Sequence, residues 1–375
     1  MVASEFPPKC AGIGNAAYLL AKSLIDQGHE VTVITRSSWS FNKTRIYKGI
    51  RVHEIFFIPL FPPLHVLLHG YFINQFLNKF DGSFDLIHIH SPLVPHIQMN
   101  IPKIVTVHST WSFESKAFNK LTDWYALAVK LFTKSFIKNE KEQFDQSKSL
   151  ITISNGMKRE LIRNYKIKPS KIDVIRNSVD IKKFKPSSKI QKNNNKIVVL
   201  SIGRLVYRKG ILDLVEAARI ISKKLPNVEF KVIGDGPLAG TLRKKIFEYQ
   251  LTNNFTLLGE INNEKIHRYM EEATIFVIPS LYEGLPLVLL EALASAKPII
   301  GTNINGIAEV IVHGKNGLLV PLSSPKSIAS SITKLVNNKK LRNKLSNNAL
   351  LSTKEFDNRK IAGKVLKVYE KVLSI

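Results

Sequence analysis

The feature that most constrains this chain is the alternation, from end to end, of short β-branched runs with amphipathic segments of helical period. Strands are expected at Val31–Thr35, Leu86–His90, Ile104–His108, Leu150–Ile153 and Asp173–Arg176. A second set is expected at Lys196–Ile202, Glu229–Gly234, Thr274–Pro279 and Pro298–Gly301. Helical patterns fall between them, at Ala16–Gln27, Leu121–Glu142, Gly210–Lys224, Leu287–Ser295 and Ile361–Leu373. Such alternation reads as parallel, doubly wound α/β sheets. The polar stretch Ser187–Lys196, with Asn193, Asn194 and Asn195, parts the two sets and reads as a linker. A chain of 375 residues, at about 150 per domain, accommodates two domains. Residues 1–180 and 196–355 are therefore expected to be two Rossmann-like domains facing across a cleft, joined by 181–195. Ligands in such sheets bind at the carboxyl ends of the strands.

Composition narrows the classes. The single cysteine, Cys10, excludes a disulfide framework and any Cys-based zinc or iron–sulfur site. The apolar stretch Ile55 to Leu68 is broken by Pro59, Pro62 and Pro63 and is too short to span a bilayer. No basic lead with an apolar core marks the N-terminus, so a cytoplasmic protein is expected. The net charge of +26 calls for an anionic partner: nucleic acid, an acidic membrane face or an anionic substrate. No nucleic-acid module signature is present, and no nucleic-acid partner is expected.

Two glycine loops carry candidate anion sites. Gly12-Ile13-Gly14-Asn15-Ala16-Ala17 precedes a helical pattern, where glycines let a backbone approach phosphate and the helix N-terminus offers free N–H groups. The same spacing fits a dinucleotide fingerprint, with Arg36 placed to accept a 2′-phosphate, so an NADP-dependent oxidoreductase is one alternative. Against it, Phe6-Pro7-Pro8-Lys9-Cys10 separates the first strand from the glycines. Cys10 has no neighbouring base to activate it as a nucleophile. In the second half, Gly203-Arg204-Leu205-Val206-Tyr207-Arg208-Lys209-Gly210 joins a strand to a helix. There Arg204, in a fork, and Lys209, as a point charge, can grip a diphosphate. Gly234 and Gly236 mark the next strand end.

The most informative stretch runs from Pro279 to Ser295 and sets Glu283 and Glu291 eight residues apart, with Gly284 in a tight turn and Pro286 suited to the first helical position. Eight helical residues rise about 12 Å, longer than the carboxylate spacing of either class of glycosidase. The offset suits two ends of one extended ligand. A ribose diol would satisfy Glu291, otherwise an unpaired charge beside Leu290 and Leu293.

With these motifs the chain resembles glycosyltransferase family 4, the retaining GT-B enzymes that use nucleotide sugars. The resemblance spans nearly the whole chain. It rests on the Phe6-Pro7-Pro8…Gly12-x-Gly14 loop, Gly28 to Thr35, Asp85 to Ser91, Val105 to Ser109 and Val174 to Asp180. It continues through Gly203-Arg204…Lys209-Gly210, Gly234 to Pro237 and Glu283-x7-Glu291. It implies that Arg204 and Lys209, after Gly203, hold the donor diphosphate and that Glu291 holds the ribose. Glu283 and the backbone amides of Gly284, Leu285, Pro286 and Leu287 would serve the transferred sugar, as far as each residue carries an N–H. His108 would stand beside that sugar, Gly12 and Gly14 against the diphosphate, and Glu260 and Ile261 near the base, with Gly234 in the donor loop. His90 and Ser91 fall on the acceptor side. The implied reaction moves a hexose-like sugar from a UDP or GDP donor to a glycan or lipid-linked acceptor with retention, without metal or cofactor, the donor phosphate acting as base. Residues 356–375 would cross back to the first domain.

The sequence departs from the family at three places: a first strand that starts late, which would weaken a sheet edge; Ala11-Gly12 for a glycine pair; and Asn177-Ser178-Val179-Asp180 for Asn-Gly-Val-Asp. Two further alternatives stand: His88, His90 and His108 as a metal triad, and a catalytically inactive membrane- or nucleic-acid-binding protein on the same fold. The segment Lys116 to Lys141 carries Leu121, Tyr125, Ala128, Leu131, Phe132 and Phe136 near one stripe flanked by lysines. It could lie peripherally on an anionic bilayer or bury its stripe on the sheet.

Overall fold

A computed structural model describes the chain except for Lys9, 38–41, 59–63, 81–83, 93–95, 113–123, 187–195 and Ile375; residues 64, 65, 67 and 124–131 are described in backbone only. Most of the expected linker, 187–195, and the first part of the lysine-flanked stripe thus lie outside the described residues. Two compact units result: Met1–Ser178 with Asn358–Ile375, and Val179–Asp357.

The first unit is built on β1 (Val2–Ala3), β2 (Thr32–Arg36), β3 (Lys43–Tyr47), β4 (Ile50–Ile55), β5 (Ile87–Ser91), β6 (Lys103–Val107), β7 (Ser149–Thr152) and β8 (Ile172–Val174). Their order is β3-β4-β2-β1-β5-β6-β7-β8, parallel except for the β3–β4 hairpin. That hairpin was not foreseen. Its two-residue turn, Lys48-Gly49, has φ of 49° and 84°, the left-handed pair that suits the twist of a hairpin. The short first strand does not weaken an edge: β1 sits between β2 and β5 in the middle of the sheet. Strands β5 and β7 are buried along their length, as a sheet covered on both faces requires. The helix Asn358–Leu373 covers part of it, packing Ile361, Val365 and Val368 with Leu20, Leu24, Ile104 and Ile151.

The second unit carries β9 (Ile197–Ile202), β10 (Val228–Ile233), β11 (Phe255–Leu257), β12 (Ile275–Ile278), β13 (Ile299–Thr302) and β14 (Leu318–Val320). All pair in parallel in the order β11-β10-β9-β12-β13-β14. Chain order reverses between β9 and β12, which makes their carboxyl ends the switch point where such sheets take ligands. Val199, Phe230, Val232, Ile275 and Val277 pack the sheet against the helix Ile211–Ile221 through Leu214 and Ala218. Ser178, in place of the family's glycine, is buried and is not among the described residues with left-handed φ, so the turn accepts it.

Candidate functional site

At the switch point of the second unit, β9 runs into Gly203 and Arg204, and the chain winds through a single 3-10 turn, Tyr207–Lys209, into the next helix. Gly210 makes this connection possible. Its φ is +64°, and a Cβ there would stand 2.0 Å from the Pro279 carbonyl oxygen. The close approach brings the two loops of the switch point together, and the Leu281 N–H donates to the Arg208 carbonyl at 2.8 Å.

Charge converges on the same place. The Lys209 ammonium donates to Glu283 Oε1 at 2.6 Å, Ser280 Oγ donates to the same oxygen at 2.8 Å, and Arg208 stands 3.9 Å from Oε2. Burial alone would raise the Glu283 carboxyl, but Lys209 and Arg208, with the Ser280 hydroxyl, hold it below the usual carboxylate range. Lys209 spends one of its three N–H donors on this bond. Its stem runs 3.4 Å from where a Gly203 Cβ would be. Arg204 is exposed, and among the described residues its guanidinium has no partner. Glu291 is partly buried on the helix Leu287–Ala294, and its burial pushes the carboxyl up to about 7, with Lys183 pulling the other way. Pro286 is the N-cap of that helix, one position earlier than expected, because its φ of −72° is paired with an extended ψ of 132°. Leu285 and Leu287 bury their side chains, so only their backbone amides are available to a ligand. Glu260, past β11, is exposed, and Ile261 is partly buried. Gly234 pairs with Gly259 across the ends of β10 and β11, its N–H donating to the Gly259 carbonyl at 2.8 Å.

Sequence reasoning missed Gly306. A Cβ there would fall 2.2 Å from the Gly284 carbonyl oxygen and 2.6 Å from that of Glu283, so the glutamate turn rests directly on this glycine. The Asn305-Gly306 pair just past β13 is the signal that could have found it.

In the first unit β5 and the end of β6 carry a histidine stack. His88 and His90 lie ring on ring at 4.6 Å, and His90 and His108 at 5.3 Å. His90 Nδ1 and His108 Nε2 are 3.0 Å apart, so one donates and the other accepts. His88 is tied at both nitrogens, to the Tyr369 hydroxyl at 2.6 Å and to Thr106 Oγ1 at 2.7 Å. Burial lowers all three: His88 to about 3, His108 to about 4, and His90 well below its ordinary value. Both His88 nitrogens are bonded and His90 Nδ1 meets His108 Nε2, while His90 Nε2 is buried without a partner among the described residues. Among the described residues no group of His, Cys, Asp or Glu is placed to hold a metal ion, so the three rings do not form a triad. Ser91 ends β5 with its carbonyl accepting the His108 N–H at 3.2 Å.

Two expectations for this unit change. Gly14 gives its N–H to the Glu5 carboxylate at 3.3 Å, so this amide is not held open for phosphate. Phe136 is 2% exposed and stacked on Trp111 at 4.3 Å, which removes it from any bilayer-facing stripe, whereas Phe132 is exposed. Burial, with Glu5 adding to it, pushes the Cys10 thiol up to about 12, which leaves it a poor nucleophile. Among the described residues no helix is long and apolar enough to cross a membrane.

Two doubly wound parallel sheets, one with paired cations and carboxylates at its switch point, define the GT-B class of nucleotide-sugar enzymes. Residues 11–183 match the model of Glycosyltransferase Family 4, and residues 182–351 that of glycosyl transferases group 1. The chain belongs to this glycosyltransferase family, and the oxidoreductase alternative is set aside. It is 27% identical to an uncharacterised glycosyltransferase of Methanocaldococcus jannaschii, over 99% of this chain and 97% of that one. Its fold is similar to that of sucrose-phosphate synthase from Thermosynechococcus elongatus (TM-score 0.85, 21% identity, 100% and 98% of the chains). It is also similar to Anabaena HepE in complex with UDP and glucose (TM-score 0.73, 19% identity, 98% of each chain).

Proposed function

We propose that the chain transfers a hexose-like sugar, with retention and without metal, from a UDP or GDP donor to a glycan or lipid-linked acceptor. The observation that carries this reading is the exposed Arg204 at the carboxyl end of β9, beside a Lys209 fixed on Glu283. Arg204 and the remaining donors of Lys209 bind the diphosphate, and Glu291 binds the ribose hydroxyls. The N–H groups of Gly284, Leu285 and Leu287 donate to the transferred sugar, while Glu283 fixes Lys209 and the turn. Glu260 and Ile261 border the base. His108, neutral because it is buried, serves as a hydrogen-bonding group and not as a cation toward the sugar.

The chemistry then needs no external base. The bond from the anomeric carbon to the phosphate oxygen breaks, the acceptor hydroxyl oxygen bonds to the same face, and its proton passes to the departing phosphate. Arg204, Lys209 and the N-terminus of the helix Leu287–Ala294 stabilise charge on the leaving diphosphate, the task a divalent ion performs elsewhere. A nucleotide-diphosphate panel (UDP, GDP, ADP) with NADP, read as ligand-induced thermal stabilisation, tests this. At 100 times the dissociation constant the cognate diphosphate adds about 2.7 kcal/mol, and Glu291→Ala removes most of that gain. Stabilisation by NADP alone would sink the reading.

A further inference from the structure

Within the first unit, the helices Leu64–Leu77 and Trp124–Gln146 line a partly open cavity of about 410 Å³ together with the end of β5 and the turn after β6. That size falls among small-molecule sites, about 300–1,000 Å³. Its walls are unlike the rest of this protein. Six carboxamides line it, Gln75, Asn139 and Gln143 among them, with the carboxylates of Glu140 and Glu142 and the aromatic rings of Trp111 and Phe136. None of the described lining residues is Lys or Arg, in a chain with 55 of them against 29 acidic residues.

That lining selects a ligand class. A carboxamide donates and accepts at once, as a sugar hydroxyl does, and a carboxylate accepts from hydroxyls in pairs. An aromatic face covers the C–H face of a pyranose ring. Among the described lining residues a phosphate would meet two carboxylates and no Lys or Arg, a repulsive arrangement.

The platform is already set. The Trp111 backbone N–H donates to Glu140 Oε2 at 2.8 Å, the Tyr165 hydroxyl donates to the same oxygen at 2.5 Å, and the indole lies on Phe136 at an angle of 14°. Asn74 holds the rim, donating to the His96 carbonyl at 3.0 Å and accepting from the Gln98 N–H at 2.9 Å. Little ordering remains for a ligand to impose. Ser91 lines the cavity, and its carbonyl accepts the backbone N–H of His108, so the cavity lies against the ends of β5 and β6.

We propose that this cavity seats the neutral, hydroxyl-rich terminal sugar of the acceptor, and not a phosphate-bearing lipid headgroup. The proposal rests on the transferase reading for the word acceptor, but saccharide binding itself does not. A free oligosaccharide and a glycan carried on a lipid offer the same terminal ring.

The test uses the full chain and three sets of probes, read by saturation-transfer NMR and tryptophan quenching. They are soluble neutral hexosides and oligosaccharides, vesicles carrying a neutral glycolipid, and vesicles of phosphatidylinositol or polyprenyl phosphate. UDP titration runs in parallel. Expected is binding of a neutral saccharide in one of the first two sets, which tells the free source from the lipid-borne one. Asn139→Lys, on a partly exposed helix position, should weaken it at least tenfold and leave UDP affinity within twofold. Trp111→Phe should weaken it less. Binding to the phosphate lipids alone overturns the proposal, as does saccharide binding indifferent to both substitutions, or none at all with UDP bound. Saccharide binding without any nucleotide diphosphate binding leaves the cavity assigned and overturns the transferase reading instead.

Discussion

The two sheets end in opposite kinds of chemistry. The second presents full charges: an exposed Arg204, Arg208 and Lys209 gathered around Glu283, and Glu291 on the helix that follows. The first presents three buried, stacked imidazoles with a tyrosine hydroxyl, and a cavity lined by six carboxamides and two carboxylates, with no Lys or Arg among the described lining residues. One sheet scaffold thus supports both an anion grip and a hydroxyl-reading surface, and the difference lies in the loops after the strands. A diphosphate demands fixed cations, which stay soluble and partly exposed. A sugar ring demands oriented donors and acceptors, which tolerate burial only when each is paired.

Acid should separate the two most widely. Burial lowers His88, His90 and His108 from 6.5, so the unfolded chain binds more protons than the native one between about pH 6.5 and pH 4. The stability they allow is complete above about 6.5 and is lost as pH falls toward 4. Glu291 runs the other way: burial raises it from 4.5 to about 7, so its contribution is complete below about 4.5 and is lost as pH rises through 7. Hydrogen exchange read by mass spectrometry between pH 7.5 and 5 should show β5 and β6 losing protection while the helix Leu287–Ala294 gains it. His90→Asn and Glu291→Gln should each flatten only their own profile. A uniform response across both units would erase the contrast.

The buried pair comes next in size. Glu283→Ala leaves Lys209, itself only 15% exposed at the side chain, without its carboxylate. Breaking one side of such a pair costs about 3–5 kcal/mol. Urea denaturation followed by tryptophan fluorescence checks this, and Glu283→Gln, which keeps an acceptor for Ser280, should lose less. Transfer activity should vanish in the alanine variant.

Arg204→Ala sharpens the contrast from the other side. The residue is exposed and unpaired among the described residues, so folding should change by no more than about 0.5 kcal/mol. UDP affinity should fall by about 1.5–3 kcal/mol, the range of a hydrogen bond to a charged group, as isothermal titration calorimetry would register. A charged residue that matters to ligand and not to fold is what an anion grip predicts, and equal effects on both would make Arg204 structural.

Much of this arrangement was legible locally. Strands β2, β5, β6, β7, β9, β10, β12 and β13 announce themselves as β-branched runs, each with bounds within one residue of those observed. Of the strands that escaped notice, β4 interrupts its apolar residues with Arg51, His53 and Glu54, and β3, β11 and β14 lack the β-branched run altogether or are too short for it. β3 is an edge strand whose Lys43, Thr44 and Ile46 face solvent, and β11 and β14 have three residues each. In the site, motif spacing pointed to Lys209 and Glu283 separately. Their direct pairing spans 74 residues and follows from parallel strand order, which no local pattern encodes. The same holds for the carboxamide cavity, whose walls come from two helices and two strand ends.

The smallest effects concern the first glycine loop, where two glycines two residues apart in the same motif have different reasons to be glycine. A Cβ on Gly14 would stand 2.7 Å from Cys10 Cβ and 2.8 Å from the Glu5 carbonyl oxygen, with no room to move. Gly14→Ala should therefore destabilise by about 1–3 kcal/mol, the cost of overpacking. A Cβ on Gly12 meets nothing within 4 Å, and the residue is already helical. Gly12→Ala should gain about 0.4–1 kcal/mol, since alanine has less freedom to lose on folding. Thermal denaturation ranks the pair. UDP titration then assigns Gly12: weaker binding in a more stable protein means that the position is kept bare for the donor phosphate, as the family resemblance implies. Unchanged binding means that the loop is a packed turn, and that the anion chemistry belongs to the second unit alone.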